Sequence, residues 1–98
     1  MEIKTKKPIT VGSDGTYKYD FGKFTPGDKL EADFEFIGID SNNFTVSPKC
    51  GCTVPEMVIE ENSAKVKFKV SRTEDFAVII VVQNGKKETV KLKLTGHK

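Results

Sequence analysis

The sequence predicts an all-β fold, an immunoglobulin-like sandwich of two antiparallel sheets with seven or eight strands. Apolar and polar residues alternate with a period of two in short runs, which is the pattern of half-buried strands. Turn residues separate these runs, and no segment keeps a helical period over three turns. A chain of 98 residues is long enough for one hydrophobic core, and two packed sheets are the simplest way for such strands to bury it.

The alternating runs follow one another along most of the chain, and in each run the apolar residues of one parity are expected to face the core. The runs are TYKYDF (16–21), KLEADFEF (29–36), FTVS (44–47), AKVKFKV (64–70), FAVIIVV (76–82) and TVKLKL (89–94). Pro26-Gly27 fits the centre of a type II turn, and Gly38 marks a bulge or a strand end. Asn84-Gly85 is a strong signal for a β-hairpin.

Residues 1–15 precede the first long run, and residues 16–98 are expected to form the immunoglobulin-like domain. The first segment is expected to be an N-terminal arm or an extra edge strand. Pro8 has no N–H to donate to a ladder, so it confines this segment to an edge position. Its apolar residues Ile3 and Ile9 are candidate contact residues.

Charged residues predict which strands are neighbours. An acidic row (Glu31, Asp33, Glu35) and a lysine row (Lys65, Lys67, Lys69) face outward on two different runs, and opposite charges on adjacent strands attract each other. The second and fifth strands of immunoglobulin-like topology are neighbours, which brings these rows together. The alternative is a basic patch for phosphate or an acidic polymer, but the net charge of only +2 argues against nucleic acid as a partner.

Composition also excludes several classes of protein. The chain is 37% hydrophobic and 31% charged, as in ordinary globular proteins. It has no apolar run near 18 residues, so no membrane partner is expected. The N-terminal residues lack the apolar core of a signal peptide.

The two cysteines stand in the string CGCTVP, residues 50–55. Together with four other segments, this string resembles the bacterial domain family marked by a CGCT motif, which consists of immunoglobulin-like sandwiches of the ASPM–Hydin type. The other matching segments are DFG (20–22), PGD (26–28), FEF (34–36) and LKLTG (92–96). The resemblance runs from about Tyr17 to Gly96 and implies a binding or scaffolding module without an established reaction. Family members often carry an export signal or a lipoprotein anchor and a glycine-rich turn where this chain has EENS (60–63).

Cys50 and Cys52 are the candidate metal ligands of the chain. A structural zinc site needs four ligands, and His97 is the only histidine available, so zinc is not expected. A two-thiolate copper(I) site and a strained, reducible disulfide remain as alternatives. The favoured interpretation is that both thiols are buried packing groups, and no cofactor is predicted.

The function predicted is that of a non-enzymatic module that acts by protein–protein contact. The chain has no nucleophile–base pair and no glycine-rich phosphate loop. The run FAVIIVV is apolar on both faces, so Ala77, Ile79 and Val81 are expected to point outward, either covered by the arm or a loop or forming a contact surface. The expected partners are other subunits of an assembly, with a homo-oligomer among the options.

The most specific expectation is a bacteriophage virion component, made in the host cytoplasm, that decorates or cements a capsid, neck or tail. One alternative is a ligand-binding module of the bacterial surface or periplasm that recognises carbohydrate or peptide through loops 40–43 and 60–63. The other is a copper(I) or redox role of the cysteine pair.

Overall fold

The computed structural model describes residues 1–49, 53–86 and 88–98 of the chain. These residues form nine strands: β1 (Glu2–Thr5), β2 (Thr10–Val11), β3 (Tyr17–Lys23), β4 (Lys29–Ile37), β5 (Phe44–Pro48), β6 (Thr53–Ile59), β7 (Ser63–Ser71), β8 (Phe76–Asn84) and β9 (Glu88–His97). One sheet has the strand order β1-β4-β7-β6, and the other has the order β2-β3-β9-β8-β5. The prediction of an all-β sandwich is confirmed. None of the described segments is a helix that is long and apolar enough to cross a membrane.

The core lies between the two sheets and is built by the predicted alternation. The inward residues of the long runs are buried or partly buried, and the largest side chains with almost no exposure are Phe36, Phe68, Ile80, Leu92, Leu94, Val66, Val70 and Val82. Burying each such side chain contributes roughly 1.5–3 kcal/mol. Phe34 packs edge-on against Phe68 and lies parallel to Phe36, with ring centroids 5.5 and 6.1 Å apart.

The predicted pairing of the acidic and lysine rows is confirmed. Residues of β4 and β7 lie directly opposite each other as Glu31 with Lys69, Asp33 with Lys67, and Glu35 with Lys65. Lys67 Nζ lies 3.7 Å from Glu31 Oε2 and 4.0 Å from Asp33 Oδ1. The two rows therefore fix the register of these neighbouring strands, each pair contributing about 0.2–1 kcal/mol.

One strand pair differs from the antiparallel arrangement that the sequence predicts. β3 and β9 run parallel, with Tyr17 opposite Leu92 and Tyr19 opposite Leu94. The chain crosses to the other sheet between β3 and β4, so β3 is not paired in a hairpin with its successor. It lies instead beside the last strand, whose direction is already set by the antiparallel β8–β9 hairpin.

The arm supplies the two short strands that raise the number of described strands above the expected seven or eight. β1 pairs with β4 in one sheet, and β2 pairs with β3 in the other. Pro8 lies between these two strands and belongs to neither ladder. Ile3 and Ile9, the contact candidates of the arm, are half-buried and pack against the core of the same chain.

Two turn predictions are confirmed, one of them with a shifted centre. The Asp28 N–H donates to the Thr25 carbonyl over 3.0 Å, and Gly27 has a φ of 93°, as the third residue of a type II turn requires. In the β8–β9 hairpin Asn84 lies opposite Glu88, so Asn84 ends the strand and Gly85, with a φ of 67°, begins the loop. The chain also leaves β4 at Gly38, which has a φ of 77° and marks a strand end.

Candidate interaction site

Different strands form the edges of the sheets on the two long sides of the sandwich. On one side, the arm adds β1 and β2 as the outermost strands of the two sheets. On the other side, β5 and β6 are the outermost strands, and they are connected through residues 49–52. We call this second side the open side, because the described residues place no further strand beside β5 or β6.

The backbone of β6 presents alternate residues to the open side. The Glu60 N–H donates to the Ser63 carbonyl over 2.8 Å, and the register between β6 and β7 is uninterrupted up to this pair. Backbone groups of the even-numbered residues therefore point towards β7, and those of the odd-numbered residues point towards the free edge. Pro55 has the odd parity, so the N–H that proline lacks is not missing from the β6–β7 ladder.

The same alternation holds on β5. The Lys49 N–H donates to the Ile79 carbonyl over 2.9 Å, so the backbone N–H and C=O groups of the odd-numbered residues of β5 point towards β8. Pro48 has the opposite parity and faces the free edge, as Pro55 does on β6. Each edge therefore carries a proline close to the link between the strands. Thr53 has the edge-facing parity next to the link, and the other edge-facing N–H groups lie farther from it, at Phe44 and Val46 on β5 and at Met57 and Ile59 on β6.

Three consecutive apolar side chains are exposed at the far end of β6. Met57, Val58 and Ile59 are 41%, 61% and 43% exposed, and we call them the β6 edge patch. Val58 lies opposite Lys65 on the outer face of the four-stranded sheet, whereas Met57 and Ile59 have the parity that faces the space between the sheets. The patch therefore combines exposed apolar side chains with backbone groups that face away from β7.

Acidic side chains border the β6 edge patch. Glu56, Glu60 and Glu61 are exposed before and after it. Glu56 Oε1 accepts a hydrogen bond from Lys69 Nζ over 2.7 Å. This hydrogen bond, together with the charge of Lys69, lowers the pKa of the Glu56 carboxyl, and the same hydrogen bond raises the pKa of Lys69. Glu56 is therefore ionised at neutral pH, so the border of the patch is negatively charged there.

An open groove of about 710 Å³ crosses the outer face of the four-stranded sheet from β1 to Val58. Its lining alternates in charge, with Lys4 opposite Glu35 and Glu35 opposite Lys65. Lys6 Nζ lies 3.5 Å from Asp33 Oδ2 in the next row. A surface whose charges neutralise one another in this way has no single-sign field that would attract a charged ligand, so the groove is a solvated sheet face.

Ala77, Ile79 and Val81 lie on the outer face of the five-stranded sheet, as the sequence predicts. Ala77 is exposed, whereas Ile79 and Val81 are half-buried. Lys93 and Lys91 of β9 lie directly opposite Ile79 and Val81 on this face. The arm joins the edges of the sheets through β1 and β2, so it does not supply the cover considered for this face. The two large residues are thus less exposed than the β6 edge patch.

The remaining candidates concern metal chemistry. Cys50 and Cys52 lie outside the described residues. Thr53, which follows them, is 4% exposed, and its Oγ1 makes no hydrogen bond to any described residue. His97 lies exposed at the end of β9. Across residues 1–49, 53–86 and 88–98, no group of three or more His, Cys, Asp or Glu side chains is arranged to hold a metal ion.

The β6 edge patch was not found from the sequence, although two signals point to it. The segment TVPEMVI does not alternate, and it ends in three consecutive apolar residues. Proline within a strand indicates an edge strand. An edge strand with an unbroken apolar run has too few neighbours to cover both of its faces.

These features define an immunoglobulin-like β-sandwich domain. The chain belongs to the family described as "Protein of unknown function (DUF1573)", whose model matches residues 12–98. The match covers the whole segment from Tyr17 to Gly96 for which the sequence indicates a family resemblance, and it leaves out β1 and β2. No curated protein matches the chain.

Two solved structures are similar to the chain. The first is a Bacteroides ovatus GH5 xyloglucanase in complex with a XXXG heptasaccharide, with a TM-score of 0.58 and 10% sequence identity over 92% of this chain and 19% of that chain. The second comprises domains 4 and 5 of the S-layer protein SbsC, with a TM-score of 0.48 and 15% identity over 99% of this chain and 48% of that chain. The chain thus spans about a fifth of the first structure and about half of the second. At 10% identity, the first likeness shows the fold alone.

Proposed function

We propose that this chain is a non-enzymatic immunoglobulin-like module that acts by protein–protein contact, and that the β6 edge patch is its contact site. The observation that carries the proposal is the exposure of Met57, Val58 and Ile59, three consecutive large apolar residues on the free edge of a sheet. Contiguous apolar surface is characteristic of interaction sites. A bare apolar edge also promotes aggregation, so a partner that covers it removes a hazard as well as burying the patch.

The acidic residues and the histidine support a role without catalysis. Carboxylates on the outer face of the four-stranded sheet pair with lysines, as Glu31 and Asp33 do with Lys67. Such residues hold the register of neighbouring strands on a solvated sheet face, whereas catalytic groups are usually set in a concave pocket with a few convergent polar groups. His97 is the single histidine of the chain and lies exposed at a strand end, away from these carboxylates.

A ligand-binding role of loop 40–43 is less favoured by the local hydrogen bonds. The Asp40 carboxylate accepts hydrogen bonds from the Asn42 N–H over 3.1 Å and from Asn43 Nδ2 over 2.8 Å. The Asp40 N–H itself donates to Asn84 Oδ1 over 2.6 Å. These polar groups stabilise the loop internally, so carbohydrate or peptide would have to replace existing hydrogen bonds.

Three narrower expectations from the sequence are not supported by the β6 edge patch: the relation to the ASPM–Hydin type, the virion role and the chemistry of the cysteine pair. The relation to the ASPM–Hydin type depends on the CGCT motif, of which the structure describes only Thr53. The bacteriophage virion role gains no support from the β6 edge patch or from the comparisons. The copper(I) and redox alternatives depend on Cys50 and Cys52, which lie outside the described residues. We therefore propose contact through β6 without assigning it to a virion.

The proposal is tested with one charged substitution at each of two equally exposed valines. Val58 is 61% exposed in the β6 edge patch, and Val11 is 58% exposed at the opposite side of the sandwich. Immobilised wild-type chain and the variants Val58→Asp and Val11→Asp are incubated with extract of the cells that encode the chain, and retained proteins are quantified by mass spectrometry. A specific partner retained by the wild type and by Val11→Asp but lost with Val58→Asp supports the proposal. Equal retention by all three contradicts it.

A further inference from the structure

We propose that the β6 edge accepts an extended strand from a different protein, and that the central residues of this strand follow the pattern basic, apolar, apolar, apolar, basic. This inference rests on the proposed function and names the chemistry of the partner. It is drawn from the direction of the free backbone groups, from the prolines of the two edges and from the charges beside the β6 edge patch.

The backbone of β6 limits where a strand can be added. Met57 and Ile59 direct both N–H and C=O away from β7, which is the arrangement that a new ladder requires. Pro55 has a carbonyl but no N–H at the next edge-facing position, so a ladder that runs towards the cysteine segment weakens there. The added strand is therefore expected to pair across residues 56–60.

A second copy of this chain fits the same edge poorly. In the symmetric antiparallel register centred on Val58, Met57 and Ile59 pair with each other across the two copies. This register also places Glu56 of each copy opposite Glu60 of the other copy, and like charges directly opposite one another destabilise strand pairing.

The other symmetric registers that keep both Met57 and Ile59 within the ladder are centred on Met57 or on Glu56. In the first, Ile59 lies opposite Pro55 of the second copy, and in the other, Met57 lies opposite it. Since Pro55 has no N–H, each of these registers loses two hydrogen bonds. Self-pairing is therefore disfavoured in all three registers, which indicates a partner of different sequence.

The charges on β6 define what that partner should carry. On the outer face, Glu56 and Glu60 flank Val58, so the residues opposite are expected to be basic, apolar and basic. Towards the space between the sheets, Met57 and Ile59 call for apolar neighbours. The pattern reads the same in both directions. Glu56 already accepts one hydrogen bond from Lys69, but a carboxylate has acceptor sites for a second cation on its free side.

The test uses a synthetic probe, the acetylated and amidated peptide Ser-Lys-Val-Ile-Val-Lys-Ser. It is titrated into the ¹⁵N-labelled chain while amide shifts and hydrogen exchange are followed by NMR. We expect the Met57 and Ile59 amides to shift and to exchange about tenfold more slowly when the free peptide is at about ten times its Kd. The amides of Phe44 and Val46 on β5 are the internal reference and should change little.

Two controls distinguish strand addition from non-specific hydrophobic binding of the peptide. A peptide with Glu in place of both Lys residues should bind at least about tenfold more weakly, because like charges then face Glu56 and Glu60. The variant Met57→Pro removes an edge-facing N–H without removing a bond to β7, and it should abolish the exchange protection at Ile59. If this variant does not fold, a peptide N-methylated at its central residues gives the same test with the wild-type chain.

The outcomes distinguish this inference from the function on which it rests. Absence of shifts at Met57 and Ile59 at about 1 mM peptide, or equal binding of the two peptides, overturns the proposed partner chemistry. If a cellular partner is lost with Val58→Asp but retained with folded Met57→Pro, contact through the patch stands and strand addition is wrong. If neither substitution changes retention, the contact function itself is wrong.

Discussion

Adding one methyl group at Gly96 should destabilise the sandwich, because an aromatic ring already occupies the space. Gly96 lies opposite Phe76 in the β8–β9 pair. A Cβ atom at this position would lie 2.6 Å from Phe76 Cε1, 2.9 Å from Phe76 Cζ and 3.3 Å from Phe24 Cδ1. The φ of Gly96 is not in the left-handed region, so the expected cost of alanine is steric and not conformational.

The size of the effect follows from how little the Phe76 ring can move. Phe76 is 7% exposed, and its centroid lies 5.6 Å from that of Phe24 and 6.0 Å from that of Phe21. Inserting a methyl group into a packed region of this kind costs about 1–3 kcal/mol. Replacing a strand glycine by alanine regains about 0.5–1 kcal/mol. Because the closest approach is only 2.6 Å, the cost of the insertion should lie in the upper part of its range, at about 2–3 kcal/mol. After the gain is subtracted, we expect Gly96→Ala to lower the free energy of unfolding by about 1–2.5 kcal/mol, and to lower Tm by about 4–8 °C per kcal/mol.

Urea denaturation followed by circular dichroism measures this change. The midpoint should fall while the m-value stays the same, since the folded and unfolded surfaces are nearly unchanged. The matched control is Phe76→Leu, which shortens the ring that causes the clash. Combined with Gly96→Ala it should cost less than the sum of the two single changes. A Gly96→Ala variant as stable as the wild type, or strict additivity in the double variant, would refute the packing explanation.

Three further changes test the charges and the edge of the four-stranded sheet. The pKa of Glu56 lies below its ordinary value of 4.5 because Lys69 donates a hydrogen bond to the carboxylate. The Glu56–Lys69 pair therefore stabilises the fold above about pH 4.5, and this stabilisation is lost as the pH falls through the lowered pKa. In a carboxylate NMR titration Lys69→Met should raise the pKa of Glu56, and an unchanged pKa would contradict this cause. Lys67→Glu would set a fourth carboxylate beside Glu31 and Asp33 of β4 and Glu56 of β6, and should lower the free energy of unfolding by about 0.5–2 kcal/mol at low salt. Urea midpoints that do not recover with added NaCl would count against an electrostatic origin. Val58→Pro removes a backbone N–H that donates to β7, whereas Ile59→Pro removes an N–H that faces the free edge. The Val58→Pro variant should therefore be the less stable of the two by about 1–3 kcal/mol. Equal urea midpoints for the two variants would show that the assigned parity is wrong.

The sequence was most informative where each strand has one buried and one solvated face. In β7 the alternation of apolar residues and lysines specifies which residues enter the core. The opposite charges on β4 then specify its neighbour, with Asp33 opposite Lys67. Face and register were predictable together because a shift by one residue would bury charges and expose the core side chains.

The prediction was incomplete where structure depends on distant parts of the chain. The parallel pairing of β3 with β9 joins residues near both ends of the sequence, and no local pattern distinguishes it from antiparallel pairing. The half-burial of Ile79 and Val81 depends on side chains of neighbouring strands on the same face. The apolar character of β8 was readable from the sequence, but the degree of its exposure was not.

The β6 edge patch escaped prediction for a related physical reason. Alternation arises when a strand has neighbours on both sides and one solvated face. An edge strand is partly released from this requirement, so its apolar residues do not reveal which of them will be covered. In the segment TVPEMVI the useful signal was Pro55, which a strand tolerates when its nitrogen faces an edge.

The arrangement of prolines on the open side argues that its two ends serve different purposes. Pro48 and Pro55 both have the parity that faces the free edge, so each interrupts edge pairing without costing its own sheet a hydrogen bond. A domain that only had to avoid aggregation would be expected to protect the rest of the edge as well, by placing charges at the exposed positions. The chain instead has Met57 and Ile59 there, and its acidic residues lie just outside them. The prolines block strand pairing at the end near the link, and Met57 and Ile59 leave the other end open to it. Any added strand is therefore limited to a short segment, which is a property expected of a specific docking site.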